Sequence, residues 1–490
     1  MSKLLTLSRA ARLIGVTRNA LQDKIRDGEL LATDGMVASE ALQRVFPDLR
    51  LEDAGAFERV TQIKEQAFGK RLRERVLPPQ DVLAQRLFMQ SQELDSMRRH
   101  LARYHELVAA LRGRIEAMDT DERARELGAM LDDGLAQVLA SPERTDSVAV
   151  MDEMLRVMSA QVTIRPSGHE FFVDGSETIL EAALHAGLTP AYGCGNGNCG
   201  LCKARIVSGE TRQIRPSDYP LSAVERAQNY KLLCSHTAVS DVVIELVEAQ
   251  SPVDIPEQEL VAKVRSVSPL DEHTRLLHLQ TPRTSRLRFL AGQSVRLSTA
   301  GGRLDFHGDY PIASCPCDDR NLMFHVTRAD VEAGDDFAAR LFAGALRPGD
   351  AVDIRGPFGN FVLKQETGRP LAFLCCDAGF APVRSLVEHA LSIDNFPAIS
   401  VYWAATRPGG QYLANQCRAW ADAIDHFVYR PVDAEDAAAA GRAAAGSMLG
   451  DMKETVPPDI YLAGDATFVE AAKVTLSAAG IALNTIVATA

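Results

Sequence analysis

Tyr192-Gly-Cys-Gly-Asn-Gly-Asn-Cys-Gly-Leu-Cys202 carries three cysteines, Cys194, Cys199 and Cys202, spaced by four residues and then by two, and a fourth, Cys234, stands well downstream. Four thiolates at that spacing suit a [2Fe–2S] cluster. Three come from one tight loop, and the fourth returns from a distant segment to complete the shell of the second iron. Glycines at 193, 195, 197 and 200 let the loop take positive φ and aim its N–H groups at sulfur. Zinc ligation and scattered core cysteines are the alternatives. Zinc sites favour paired short hooks, which a four-residue gap followed by a two-residue gap fits poorly. The spacing therefore predicts a chain that moves single electrons.

The flanking sequence is strand-like. AQVTIRPSGHEFFVDGSETILEAALHAG (160–187) alternates apolar positions, turns, and then enters a helix capped near Ser176; VVIELVE (242–248) reads as a closing strand. Residues 159–252 as a whole resemble a plant-type ferredoxin, which implies a β-grasp fold around the cluster.

The stretch from Glu259 onward resembles the ferredoxin-NADP reductase superfamily, especially oxygenase reductases fused to a ferredoxin. DYPIAS (309–314), GPFGNF (356–361), LAFLCCDAGFAPVRSLVEHAL (371–391), VYWAATRP (401–408) and IYLAGDATFVEAAK (460–473) carry it. The resemblance implies an antiparallel FAD barrel over 257–365 and a doubly wound NAD(P)H domain over 366–490. It implies that Tyr310 stacks on the flavin ring at the catalytic centre. Pro311, Ile312, Ala313, Ser314, His325, Gly334 and Gly356 line the flavin, and Gly379, Pro382 and Arg407 face the nicotinamide nucleotide. Electrons would pass from NAD(P)H through FAD to the cluster and on to a partner such as an oxygenase component. Flavin is needed there because a hydride carries two electrons and the cluster accepts one.

Several positions depart from the family pattern. Gly308 and Pro311 replace the Arg and Ser around Tyr310, with His307 the nearest substitute. Asp335 and Asp336 stand in the flavin-pyrophosphate loop, Asp377 in the nucleotide loop, and Asp465 where a later cysteine pattern should face nicotinamide. A carboxylate at a helix start can fill the anion site itself. Cys315, Cys317, Cys375 and Cys376 fall at strand ends expected to face the same cleft. They would form either a second redox centre or plain packing; Cys417 reads as packing.

The front differs in kind. LTLSRAARLIGVTRNALQDKIRDGEL (5–30) resembles the winged helix-turn-helix of MerR-type and excisionase-type proteins over residues 1–50. Ser8, Thr17 and Ser39 would cap its helices, Gly15-Val16 make the turn, and Asp34-Gly35 tip the wing. Arg18, Asn19, Gln22 and Lys24 would meet a major groove, although Asp23 and Asp27 oppose phosphate; a docking domain without DNA is the alternative. After a linker (51–80), Leu83, Leu87, Gln90, Leu94, Met97, Leu101, Tyr104, Val108, Leu111, Ile115 and Met118 alternate steps of four and three. That seam predicts a coiled coil over 81–118, ended by Asp119–Asp121, and a homodimer, unless the stripe packs on its own chain. A helical connector (119–158), broken at Ser141-Pro142, leads into the ferredoxin.

The fold class expected is thus multidomain α+β. A length of 490 residues demands several cores, and no apolar run suits export or a membrane span. Nine cysteines then point to redox work in the cytoplasm. Residues 1–118 hold 20 Lys and Arg against 16 Asp and Glu, a balance of +4, so with a whole-chain net charge of −12 the remainder carries −16. The competing function is a redox-sensing regulator or assembly subunit, with an intact cluster and a degenerate reductase module.

Overall fold

The computed structural model describes residues 4–14, 16, 18–33, 36–46, 78–117, 122–140, 152, 155–174, 177–249, 251–299, 309–364, 368–393, 396–424, 426–452 and 456–489. Expectations for Gly15, Thr17, Asp34-Gly35, linker residues 51–77, Met118–Asp121, Ser141-Pro142, Ser176, His307 and Gly308 lie outside them.

The N-terminal part has a small sheet of β1 (Leu4–Thr6), β2 (Ala32–Thr33) and β3 (Met36–Ala38), in the order β1-β3-β2. Around it lie α1 (Leu7–Ile14), α2 (Arg18–Arg26) and α3 (Ser39–Val45). Ser8 and Ser39 fall inside their helices rather than capping them. Leu5, Leu13, Leu21, Leu30, Val37 and Leu42 form its core. Two long helices follow, α4 (Gln80–Glu116) and α5 (Glu122–Ala140). They run side by side, with Arg112 reaching Asp132 at 3.4 Å.

The cysteine-rich part is a five-stranded mixed sheet. Its members are β4 (Ser159–Arg165), β5 (Glu170–Asp174), β6 (Lys203–Ser208), β8 (Tyr230–Leu232) and β10 (Val242–Glu245), in the order β5-β4-β10-β6-β8. Only β10 with β4 is parallel. A side ribbon pairs β7 (Thr211–Gln213) with β9 (His236–Ala238). Helix α6 (Ile179–His185) is capped by Thr178. Thr178 accepts from the Glu181 amide while Glu181 reaches back to the Thr178 amide, which satisfies two orphan donors at once. The Leu180 amide then donates to the Leu233 carbonyl at 3.1 Å, so the helix start fixes the residue before Cys234. A second short helix, α7, spans Ala223–Ala227.

The next unit is a nearly closed antiparallel barrel of β11 (Gln258–Pro269), β12 (Thr274–Gln280), β13 (Ser294–Thr299), β14 (Tyr310–Pro311), β15 (Asn321–Thr327) and β16 (Ala351–Phe358). The order is β14-β13-β16-β11-β12-β15. Past β14 the Ala313 amide donates to the Met323 carbonyl at 2.7 Å, which draws the two edges together. Helices α8 (Arg328–Glu332) and α9 (Asp336–Phe342) follow β15. Alternate residues such as Leu260, Ala262 and Val264 point inward, as a half-buried strand requires.

The last unit is a parallel sheet of β17 (Leu371–Cys376), β18 (Ile399–Ala405), β19 (Phe427–Asp433), β20 (Asp459–Ala463) and β21 (Ile486–Ala488), ordered β19-β18-β17-β20-β21. Helices α10 (Phe380–Ile393) and α11 (Ala414–Ala423) cover one face; α12 (Ala437–Asp451) and α13 (Ala466–Ala478) cover the other. The strand order reverses between β17 and β20, where a doubly wound fold opens its crevice. Among the described residues, no helix is long and apolar enough to cross a membrane.

Candidate cluster site and reductase cleft

The four cysteines meet as two pairs. The sulfurs of Cys202 and Cys234 lie 3.1 Å apart. Cys194 accepts N–H bonds from Asn196, Asn198 and Cys199 at 3.3–3.5 Å, and Cys199 accepts one from the Cys194 amide at 3.4 Å. Cys194, Cys202 and Cys234 are buried and Cys199 is exposed. Burial pushes the Cys194 thiol up, but the three N–H donors more than reverse it, so it ionises below its ordinary value. In the other pair, the shared hydrogen bond pushes Cys202 up and lets Cys234 fall to about 7. Two thiol pairs in a loop lined with N–H groups fit a [2Fe–2S] cluster. Gly200, at φ +74°, keeps the loop closed: a Cβ there would run into the Tyr219 ring.

This loop does not stand alone. The Arg286 amide, on the barrel, donates to the Gly193 carbonyl at 3.1 Å, and the Arg288 guanidinium donates to the Thr189 carbonyl at 3.1 Å. Buried Asp319 receives Arg286 at 3.3 Å and the Tyr192 hydroxyl. Helix α6 packs on the turn Pro316–Asp318. That turn directly follows Tyr310–Ser314, so the cluster loop abuts the end of the expected flavin strand.

Tyr310 itself lies inside the barrel, 5% exposed and edge-on to Phe337 at 5.7 Å, with its hydroxyl donating to Asp335. Gly334 (φ +89°) turns the chain before Asp335. The Asp335 carboxylate accepts the amides of Phe337 and Ala338 at 2.8 and 3.0 Å. Those are donors that the family resemblance would give to a pyrophosphate. Ile312 donates to the Gln293 carbonyl at 3.0 Å, and the Ser314 hydroxyl accepts from Met323 at 3.2 Å. Pro311 ends β14, Ala313 bridges to β15, and Gly356 lies on β16. His325 accepts or donates at 2.9 Å to the Tyr412 hydroxyl through Nδ1, while its buried Nε2 has no partner among the described residues. Burial, then nearby Arg384, holds its pKa well below the ordinary value. An orphaned imidazole nitrogen fits the polar edge of a flavin ring. The pyrophosphate end does not fit as it stands, because Asp335 takes its donors.

Around the crevice, Gly379 packs so tightly on Ala463 that a Cβ would collide with its carbonyl. Pro382 is buried in the first turn of α10. Asp377 corrects an expectation. It does not cap α10; at φ +48° it turns aside, accepting from the Thr406 amide at 3.1 Å and the Thr406 hydroxyl at 2.5 Å. Asp465 does cap its helix, accepting from Phe468 at 2.8 Å. Arg407 reaches across to the barrel, 3.0 Å from Asp271 and 3.4 Å from Thr274.

The second redox centre is not formed. Cys375 and Cys376 are neighbours on one strand, so they point to opposite faces of the sheet and join different cores. Cys315 instead lies 4.0 Å from the Ser392 hydroxyl. Conversely, the buried Arg384–Glu388 pair at 3.0 Å was not anticipated. Its signal was available: opposite charges four apart inside an otherwise apolar helix. Glu388 also accepts from the Cys315 amide at 3.3 Å, tying α10 to the turn beside the cluster.

Residues 162–239 match the family model of the 2Fe-2S iron-sulfur cluster binding domain. The CDP-6-deoxy-L-threo-D-glycero-4-hexulose-3-dehydrase reductase of Yersinia pestis is 29% identical over 332 residues, covering 67% of this chain and 97% of its own. The reductase component DmpP of a Pseudomonas phenol 2-monooxygenase is 28% identical over 276 residues, covering 56% of this chain and 76% of its own. A solved Amycolatopsis cytochrome P450 reductase superposes with a TM-score of 0.42 at 25% identity, over 67% of this chain and 98% of its own.

Proposed function

We propose that this chain is an electron-transfer oxidoreductase that passes electrons from NAD(P)H through FAD to its [2Fe–2S] cluster and on to a partner oxygenase or other redox enzyme. The observation that carries this reading is the docking of the cluster loop, through Gly193–Arg286 and Thr189–Arg288, beside the Tyr310–Ser314 segment. Cys194, Cys199, Cys202 and Cys234 hold the cluster. Tyr310–Ser314, His325, Gly334 and Gly356 serve the flavin; Gly379, Pro382 and Arg407 serve the nucleotide. Bound flavin supplies the conversion of a two-electron hydride into single electrons. Asp335 must leave the start of α9 for a pyrophosphate to use those amides. The relatives named above are reductase components, which supports an oxygenase or dehydrase as the acceptor.

The apolar stripe of α4 supports a homodimer. Leu94, Met97, Leu101 and Tyr104 are each more than half exposed, at the spacing of a two-stranded seam. DNA binding has less behind it. On α2, Lys24 pairs with Glu29 and Arg26 with Asp23, while Arg9 and Arg12 of α1 bond Asp152, Asp241 and Asp174. That pattern favours a docking domain, which is also how the first helix is used.

The test is NADH- and NADPH-dependent reduction of two acceptors by the full chain. Cytochrome c takes electrons from the cluster, and ferricyanide can take them earlier. Cys234→Ser should abolish the first and spare the second. Equal activity of wild type and Cys234→Ser with cytochrome c would overturn the route.

A further inference from the structure

We infer that Arg286, although it belongs to the barrel, is part of the cluster site and raises the cluster's reduction potential only while the two units are docked. This rests on the reading of Cys194, Cys199, Cys202 and Cys234 as cluster ligands. Three observations carry it. The Arg286 amide binds the Gly193 carbonyl, one residue before a ligand. Its guanidinium presses on Gly195, one residue after that ligand: a Cβ on Gly195 would stand 2.7 Å from Cζ and 2.9 Å from Nε. Only glycine admits so close an approach, and the φ of +63° there suits glycine as well. Finally, the Arg286 Nε–H is buried and has no acceptor among the described residues. A buried, unsatisfied guanidinium donor is costly, yet this one lies on the loop whose sulfurs already collect N–H bonds.

The sign of the effect follows from charge. Reduction adds one electron, turning one ferric ion of the cluster ferrous, with no bond or proton exchanged at Arg286. The reduced form is therefore more negative by one unit, and a neighbouring cation favours it. Asp319 works the other way. It receives both Arg286, at 3.3 Å to each oxygen, and the Tyr192 hydroxyl, and burial raises its pKa. Because Arg286 and Asp319 both sit on the barrel, their field reaches the cluster only in the docked arrangement.

Potentiometric titration of the full-length chain, read by the electron paramagnetic resonance of the reduced cluster, tests this. Iron and sulfide per chain are measured alongside. Arg286→Gln should shift the midpoint negative and Asp319→Asn should shift it positive, with Arg286→Lys returning toward wild type. A tenfold change in the reduction equilibrium corresponds to about 59 mV for one electron. Opposite signs matter, since mere loosening of the loop would move both variants the same way. Shifts of one sign, or none, in loaded protein would overturn the inference. Should Arg286→Gln fail to load, Asp319→Asn alone decides: a positive shift supports the inference, and a negative shift or none overturns it. A wild-type chain without iron would instead sink the cluster reading beneath it.

Discussion

Gly200 is where a single methyl group should do most harm. Its φ of +74° is strained for any side chain, and the Tyr219 ring occupies the space a Cβ would need. Gly200→Ala is therefore expected to lower the iron bound per chain severalfold, measured by iron analysis of purified protein. Gly134→Ala, a helical position with open space, should leave it unchanged. A second residue-scale prediction concerns His389, buried on α10, whose pKa burial lowers to about 4. An unfolded histidine titrates near 6.5, so between those values the unfolded chain binds more protons. Stability from this residue is present above about pH 6.5 and is lost as pH falls toward 4, at about 1.4 kcal/mol per unit. His389→Gln should flatten the fall in denaturation midpoint between pH 7 and pH 5. That Cys194, Cys199 and Cys202 share one loop was legible from sequence, because their spacing is local. Arg286 and Asp319 were not, because only docking brings them to Gly195. Asp335 and Asp377 show the same limit: both are carboxylates at helix starts, but the backbone turn at Asp377 sends one to Thr406.

Elements were legible where their pattern is local. The alternation of β5 follows from neighbouring residues, and the cap expected near Ser176 falls two residues on, at Thr178; Thr178→Ala should cost about 1 kcal/mol in denaturant unfolding. The choice left open for Cys375 and Cys376 is decided by strand geometry in favour of packing, since adjacent residues on a strand point to opposite faces. Helix α4 is the opposite case: its root is fixed, and among the described residues part of its stripe is left exposed. Arg86, almost wholly buried, donates to the carbonyls of Val157 and Ala238 at 3.1 and 2.9 Å, anchoring the helix to the cluster-bearing unit. Leu94, Met97, Leu101 and Tyr104 then project beyond it. The double variant Leu94→Asp, Leu101→Asp should convert a dimer to a monomer by light scattering, with cluster absorbance per chain unchanged. A wild-type monomer at micromolar concentration would remove the dimer from the account.

At the scale of the whole molecule, separate units are tied at the point where electrons must pass. Arg286, Arg288 and Asp319 hold the cluster loop to the barrel, Glu388 holds α10 to the adjoining turn, and Arg407 spans from the nucleotide domain to Asp271. None of these ties crosses a short stretch of sequence, which is why composition and motif could name the units but not their arrangement. The carboxylates at Asp335, Asp377 and Asp465 bear most heavily on whether nicotinamide can feed this assembly. An anaerobic titration of the purified chain with NADH, and then NADPH, followed by visible absorption, decides it. The account predicts that one of the two bleaches both the flavin and the cluster bands. A cluster that both nucleotides leave untouched, while dithionite bleaches it, would contradict the account and leave a redox-sensing or assembly role in its place.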